Sequence, residues 1–134
     1  MILTTAALCL AANVYYESRG ELFNGQIAVA QVTLNRAQRH PKNVCDVVTR
    51  SKQFSWTIGR VKRQHGKYVV LSKFEPKDKQ AWLIAQAVAK ITLMGWSRDI
   101  THGAMFYHTA AVSPAWDRNM KVVTVIGRHI FYKV

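Results

Sequence analysis

The chain has 134 residues, of which 49% are hydrophobic and 19% charged. This composition fits a single globular domain, which we expect to cover residues 1–134, and excludes a disordered chain. Nineteen Lys and Arg against seven Asp and Glu give a formal net charge of +12 and a pI near 10.2. A charge of this sign and size favours polyanionic partners: nucleic acid, anionic lipid or the acidic polymers of a bacterial envelope.

The apolar N-terminal stretch has no basic segment before it, so we expect no secretory signal and a first helix that belongs to the fold. No stretch approaches the roughly 18 apolar residues that span a bilayer, which predicts a soluble protein. Cys9 and Cys45 are too few for a disulfide scaffold and lack the C-x-x-C spacing of a structural zinc site. We therefore expect neither a metal nor a cofactor.

Hydrophobic periodicity predicts four helices, which cover about 4–19, 24–36, 44–50 and 76–95. Thr4 or Thr5 can cap the first helix, and Gly20 is a suitable residue to end it. Asn24 can cap the second helix, which is apolar almost all round and is therefore predicted to be central. Pro76 suits the first turn of the fourth helix.

The last third of the chain predicts strands instead of helices. The candidates are 105–108 and a hairpin formed by 121–125 and 129–132 around a turn at 126–128. Helices first and strands last predict an α+β fold, mainly helical, with a small C-terminal antiparallel sheet.

Glu17 is the most informative of the seven acidic residues, because it lies in the last turn of the first predicted helix. A carboxylate there faces the negative end of the helix dipole, and Tyr15 and Tyr16 lower the local polarity. Both effects raise a carboxyl pKa, whereas Arg19 lowers it, so the sequence leaves the net shift open. A carboxylic acid protonated near neutral pH is what general-acid cleavage of a glycosidic bond requires. On helix position alone, a surface ion pair is the commoner fate of such a residue.

Glu21 follows Gly20, so a helical spacing from Glu17 cannot be assumed. We expect Glu21 to support the site structurally, by accepting backbone N–H bonds in the turn or by pairing with an arginine. The alternative is the second carboxylate of a glycoside hydrolase, at about 5–5.5 or 6.5–9.5 Å from the first.

Residues 36–79 form a basic cluster that holds twelve of the nineteen Lys and Arg but only three of the seven Asp and Glu. A solvated loop region is the simplest interpretation of a charge run. The concentration of most of the excess charge in one third of the chain favours a surface that faces an anion.

Several blocks of sequence, in order, closely resemble the SleB/CwlJ-like cell wall hydrolases, a family that includes spore-cortex lytic enzymes and phage endolysins. The blocks are LAANVYYESRGE at 10–21, GQIAVAQVTLNR at 25–36, VCDVV at 44–48, QFSWT at 53–57, GAMFYH at 103–108 and IGRHIFY at 126–132. The resemblance spans nearly the whole chain, and ordered blocks are far more specific than any one of them.

The resemblance implies a fold related to lysozyme and cleavage of peptidoglycan between N-acetylmuramic acid and N-acetylglucosamine. It places the catalytic glutamate on Glu17 and favours a lytic transglycosylase, in which one carboxyl group acts as acid and then as base and leaves 1,6-anhydro ends. A muramidase-type hydrolase is the alternative, and it would need Glu21, Asp99 or Asp117 nearby as a second carboxylate.

Sugar binding is expected from residues that mix aromatic faces with hydrogen-bonding groups. The candidates are Gln53, Phe54, Ser55 and Trp56 on one wall of a cleft, with Tyr107 and His108 on the other. Because neighbouring side chains alternate across a strand, only one of the last two is expected to face the cleft. Arg19 and Glu21 are expected to support the site.

The sequence departs from the family at its cysteines. Many members carry a further cysteine soon after the S-W-T block, able to pair with the one that matches Cys45. Here Thr57 is followed by Ile58, Gly59 and Arg60, so that pairing is absent. We therefore expect Cys9 to be a small buried hydrophobic residue.

Two rival functions come from other classes. The net charge and interleaved aromatic residues are compatible with a nucleic-acid-binding module, although no recognition motif is present and we expect no specific nucleic acid. A zinc amidase using His102, His108 and a third ligand lacks the H-E-x-x-H motif.

The expected partners are peptidoglycan glycan strands and, through the basic cluster, anionic envelope polymers. We expect a monomeric phage endolysin that is made in the host cytoplasm and acts on the cell wall.

Overall fold

The computed structural model describes residues 2–3, 5–50, 61–64, 67–70, 75–112, 114 and 118–134, with the backbone alone for 2–3, 61–64 and 67–70. In chain order the described elements are β1 (Ile2–Leu3), α1 (Ala6–Ser18), α2 (Phe23–Arg36), a 3₁₀ turn (Pro41–Asn43), α3 (Val44–Thr49), β2 (Val61–Gln64), β3 (Lys67–Val70), α4 (Lys79–Leu93), β4 (Phe106–Thr109), β5 (Lys121–Ile126) and β6 (His129–Lys133). The predicted α+β, mainly helical fold is confirmed.

The helix α1 begins where its capping residue dictates. The side chain of Thr5 accepts a hydrogen bond from the backbone N–H of Leu8 at 3.2 Å, which satisfies one of the free N–H groups of the first turn. Every residue from Cys9 to Tyr15 is buried. This helix is therefore as central as α2, for which the apolar pattern correctly predicts a buried position.

Two predicted helix starts are wrong by one to three residues. The helix α2 begins at Phe23 after Leu22, so Asn24 lies inside the first turn and does not cap the helix. The helix α4 begins at Lys79, because the side chain of Asp78 accepts a hydrogen bond from Ala81 N–H at 2.9 Å. An aspartate cap fixes this start better than a preceding proline does.

The predicted C-terminal sheet is present, with β6 between β4 and β5 and both pairs antiparallel. A second three-stranded sheet, in the order β1-β3-β2, is a feature that the sequence did not predict. Its strands are two to four residues long, and β2 and β3 lie in the basic cluster, where alternation of apolar and polar residues is weak.

The main core lies among α1, α2, α3 and α4, and a smaller core joins α2 to the C-terminal sheet. The smaller core consists of Ala28, Val32, Ala104 and Phe131, all with no exposed surface. Tyr107 of β4 also packs against the main core, so the C-terminal sheet lies beside the helices, including α1, which carries Glu17 near its end.

The expectation for the cysteines is wrong in part. Cys9 is fully buried, as expected, but it forms a disulfide with Cys45, with the two Cα atoms 5.3 Å apart. The bond joins α1 to α3. Only the packing of those two helices side by side brings the two cysteines within bridging distance, and a separation of 36 residues gives no sign of it.

Within the described part of the chain, no helix combines the length and apolar character that a membrane span requires.

Candidate active site

An open groove of about 500 Å³ lies between the C-terminal end of α1 and the turns that follow β4 and β5. One wall is formed by residues 16–21. The opposite wall is formed by Thr109, Ala110 and Ala111, and the turn between β5 and β6 contributes Arg128 and His129. A concave site with a few polar groups is the form that binding sites usually take.

Glu17 is partly buried in the first wall, and this burial raises its pKa to about 7. The cause is loss of hydration, which disfavours the charged form. The guanidinium of Arg19 lies over the rings of Tyr15 and Tyr16, with its carbon 4.7 and 5.9 Å from their centroids. Because the pKa of Glu17 is about 7, a substantial fraction of its carboxyl group is protonated at neutral pH.

Glu21 also lines the groove, but its carboxylate is bound on both oxygens. Its Oε1 accepts a hydrogen bond from the backbone N–H of Arg128 at 3.0 Å and lies 3.1 Å from His129 Nδ1, and its Oε2 accepts from Arg128 Nε at 3.5 Å. Burial alone would raise the pKa of Glu21, but the Arg128 hydrogen bonds and the nearby positive charges outweigh it and leave the pKa lowered. Glu21 is thus a charged, fixed group.

The two carboxyl groups at this groove therefore differ in protonation state. Glu17 has a pKa raised to about 7, and Glu21 has a lowered one. Two titratable groups whose surroundings push their pKa values apart are the usual mark of an acid and base pair of roles, which makes Glu17 the candidate acid.

Tyr107 lies on the face of β4 that turns toward the helices. Its ring meets the rings of His129 and Phe131 at centroid distances of 5.3 and 5.8 Å. Its buried hydroxyl forms no hydrogen bond of good geometry among the described residues, although the side chain of Asn13 lies close enough to affect it. Burial and the charge of Glu17 raise the pKa of Tyr107, whereas Asn13 and Arg36 oppose the rise. Tyr107 is therefore close to Glu17 but behind the groove lining.

His108 lies on the other face of the same strand. Its Nδ1 is 2.7 Å from the carbonyl oxygen of Thr109, its Nε2 is 2.7 Å from Tyr132 Oη, and its ring stacks on that of Tyr132. Because a carbonyl oxygen only accepts, Nδ1 is the donor to Thr109. As expected from strand alternation, Tyr107 and His108 face opposite ways, and neither lines the groove.

The other predicted site residues divide into two groups. Arg19 and Glu21 line the groove beside Glu17. Gln53, Phe54, Ser55 and Trp56 lie outside the described residues. In the described part of the chain, no group of three or more His, Cys, Asp or Glu side chains is placed to hold a metal ion.

Sequence reasoning missed Asn13 and the wall at 109–111. Asn13 is fully buried and donates a hydrogen bond from its amide to Thr33 Oγ1 at 3.1 Å. A signal for it existed, because an asparagine in an apolar helix four residues before Glu17 shares its face of the helix. The wall at 109–111 follows directly from a predicted strand, but nothing in the sequence aims it at α1.

The fold and the site together define a class of protein. It is a mainly helical α+β domain with an open groove, and one wall of that groove carries a carboxyl group of raised pKa. The chain belongs to the cell wall hydrolase family, whose model matches residues 20–132.

Curated relatives and solved structures agree with this assignment. The chain is 32% identical over 133 residues to a spore cortex-lytic enzyme of Bacillus cereus and 32% identical over 130 residues to one of Oceanobacillus iheyensis. Each alignment covers 92% of this chain but only 42% and 40% of the relative, so the chain spans about two fifths of their length.

Two solved structures have the same fold. The catalytic domain of the Bacillus cereus SleB protein is 28% identical with a TM-score of 0.65, and 96% of this chain and 90% of that one are covered. The catalytic domain of the germination-specific lytic transglycosylase SleB from Bacillus anthracis is 28% identical with a TM-score of 0.70, with 96% and 93% covered.

Proposed function

We propose that this domain cleaves peptidoglycan glycan strands between N-acetylmuramic acid and N-acetylglucosamine as a lytic transglycosylase, with Glu17 as acid and then base. The observation that carries the proposal is the pKa of Glu17, raised to about 7 by burial in the wall of an open groove. The catalytic domain of the germination-specific lytic transglycosylase SleB from Bacillus anthracis shares this fold, which supports the same chemistry.

In the first step, the protonated carboxyl group of Glu17 donates its proton to the glycosidic oxygen. The bond from that oxygen to muramic C1 breaks, and C1 gains oxocarbenium character. In the second step, the ionised Glu17 accepts the proton of the sugar's own C6 hydroxyl while that oxygen bonds to C1. A 1,6-anhydro ring results, Glu17 is protonated again, and no water is consumed.

The surroundings of the other carboxylates favour this single-carboxylate route. Glu21 is held by Arg128 and His129. Asp99 accepts hydrogen bonds from Asn35, from Thr101 and from the backbone N–H of Gly103, at 2.6 to 2.9 Å, and does not line the groove. A muramidase-type hydrolase would therefore depend on Asp117, which lies outside the described residues.

The finer assignments complete the proposal. Gln53, Phe54, Ser55 and Trp56 contact the sugar rings. Tyr107 and His108 were also expected to bind sugar, but they do not line the groove, so no direct sugar contact is proposed for them. The basic cluster at 36–79 holds the enzyme on anionic envelope polymers. The protein acts on the cell wall as a monomeric phage endolysin.

Mass spectrometry of the muropeptides released by the wild type and by Glu17→Gln tests the proposal. Anhydro-muramic ends from the wild type, and their loss in the variant, are expected. Reducing muramic ends, heavier by one molecule of water, would establish the muramidase alternative. Free stem peptides would mean an amidase, and salt-sensitive binding to DNA without any muropeptide release would favour the nucleic-acid-binding module.

A further inference from the structure

The carboxylate of Glu21 is enclosed by the turn between β5 and β6, 107 residues away. Besides its contacts with Arg128 and His129, it fits against Gly127, where a Cβ atom would lie 3.1 Å from Oε2 and 3.3 Å from the carboxyl carbon. Gly127 has a φ of +58°, which a residue with a side chain rarely adopts. We call Glu21 with Gly127, Arg128 and His129 the Glu21 clamp.

The Glu21 clamp is anchored to the wall that carries Glu17. The backbone N–H of Glu21 donates to the carbonyl of Ser18 at 2.9 Å, and Ser18 is the residue next to Glu17. The side-chain amide of Gln26 on α2 donates to the carbonyl of Glu21 at 3.2 Å. The carboxylate therefore extends from a backbone segment that is itself fixed to α1 and α2.

The other end of the Glu21 clamp holds the opposite wall. The carbonyl of Arg128 accepts a hydrogen bond from the backbone N–H of Ala110 at 2.8 Å, and Ala110 faces the groove. Hydrogen bonds thus run from Ser18 through Glu21 and Arg128 to Ala110, from one wall to the other.

We propose that Glu21 is a positioning residue that sets the separation between Glu17 and the opposite wall, and that it takes no part in proton transfer. This inference rests on the proposed function. Among the described residues, both oxygens of Glu21 are in contact with Arg128 or His129, and its side chain is only 8% exposed, so the carboxylate is directed at the turn between β5 and β6. Its loss changes the shape of the groove, which alters substrate binding more than the chemical step.

The test compares Glu21→Gln with Asp99→Asn by steady-state kinetics on short glycans. Asp99 is also a hydrogen-bonded carboxylate with a lowered pKa, but it lies outside the groove lining, which makes it a matched control for lost stability. We expect Glu21→Gln to raise KM on the order of tenfold with kcat changed less than about threefold. Asp99→Asn should lower the melting temperature and leave KM unchanged.

A double-mutant cycle tests whether Glu21 affects KM through the groove wall that contains Ala110. Ala110→Pro removes the N–H that reaches Arg128 while leaving the contacts of Glu21 in place. The double variant should raise KM no more than the stronger single change, because both break one path. Additive effects would contradict the proposal. Should Glu21→Gln fail to fold, Gly127→Ala, which presses on the same carboxylate, should raise KM in the same direction.

A catalytic role for Glu21 has a different signature. It predicts a kcat loss of about a hundredfold or more with KM unchanged, and recovery of Glu21→Ala by added formate or azide. That result would overturn the positioning role and with it the single-carboxylate mechanism. A wild type that releases no muropeptides, or a fully active Glu17→Gln, would instead overturn the proposed function.

Discussion

Asn13 and Glu17 lie one helical turn apart on α1, and the fully buried Asn13 is bonded to Thr33 of α2. Both residues affect the pKa of Tyr107, the charge of Glu17 raising it and the side chain of Asn13 lowering it. A polar cluster therefore extends into the core behind the proposed acid.

The alkaline limb of the pH profile of kcat/KM should follow the ionisation of Glu17. The acid must carry its proton to donate it, so kcat/KM should fall as the pH rises through about 7. Glu17→Gln should lose about 10²- to 10⁴-fold in rate. Turbidity loss of purified peptidoglycan at a series of pH values measures both. A flat profile between pH 6 and 8 would contradict the assignment of the acid.

The ionised form of Glu17 should also lower the free energy of unfolding above neutral pH. Its folded pKa of about 7 lies above the ordinary value of 4.5, so its favourable contribution is complete below pH 4.5 and is lost as the pH rises to 7. Glu17→Gln, which cannot ionise, should be more stable than the wild type at pH 8 by on the order of 1–3 kcal/mol. At pH 4 the two should be equal. Urea unfolding at both pH values provides the measurement.

Tyr107→Phe should change the stability little, because the buried hydroxyl forms no hydrogen bond of good geometry among the described residues and the neighbouring Asn13 keeps its bond to Thr33. It should also move the alkaline limb to higher pH, since one polar group near Glu17 is replaced by an apolar surface. Tyr132→Phe is the matched control. It removes the hydroxyl that binds His108 Nε2, so it should lower the melting temperature without moving the limb.

Breaking the disulfide should destabilise the fold. A bond that closes a loop of 36 residues contributes about 3–4 kcal/mol if it acts by restricting the unfolded chain. The double variant Cys9→Ala, Cys45→Ala should therefore unfold at a lower temperature than the oxidised wild type. The wild type should lose a similar amount in reductant, and the variant should not respond to reductant at all. An unchanged wild type under complete reduction would show that the bond contributes nothing.

Reversing charge in the basic cluster should weaken binding to the bacterial cell wall without affecting cleavage of the glycosidic bond. Lys62, Arg63 and Lys67 lie on the paired strands β2 and β3. Their joint replacement by Glu should reduce lysis of whole peptidoglycan at low salt and spare turnover of short glycans. The control reverses three exposed charges elsewhere, at Lys90, Arg98 and Lys121. Equal loss in the control would mean that net charge alone matters.

The sequence predicted the parts that depend on local signals. Thr5 caps α1 as expected, and the turn at 126–128 joins two strands as expected, because caps and tight turns are determined by a few neighbouring residues. Glu17 is predicted as the acid by the resemblance to the cell wall hydrolases, because its place in the last turn of α1 alone favours a surface ion pair. The direction of its pKa shift could not be predicted from the sequence, because it depends on burial in the folded protein.

What the sequence could not predict depends on packing between distant segments. The disulfide, the sheet of β1, β2 and β3, and the groove wall opposite Glu17 all join residues that are far apart in the chain. The supporting role of Glu21 was expected, but its partners Arg128 and His129 were not. A carboxylate in a turn can pair with any of nineteen cations, and only the fold selects one.

The contact between Glu21 and the final hairpin has a consequence for synthesis. A growing chain that still lacks residues 126–133 has Glu17 but not the turn that completes the groove. Because pairing over such long separations forms late, the acid is present well before the cleft around it exists. A nascent molecule on the ribosome is therefore expected to be inert until the hairpin of β5 and β6 has been translated and has docked on Glu21.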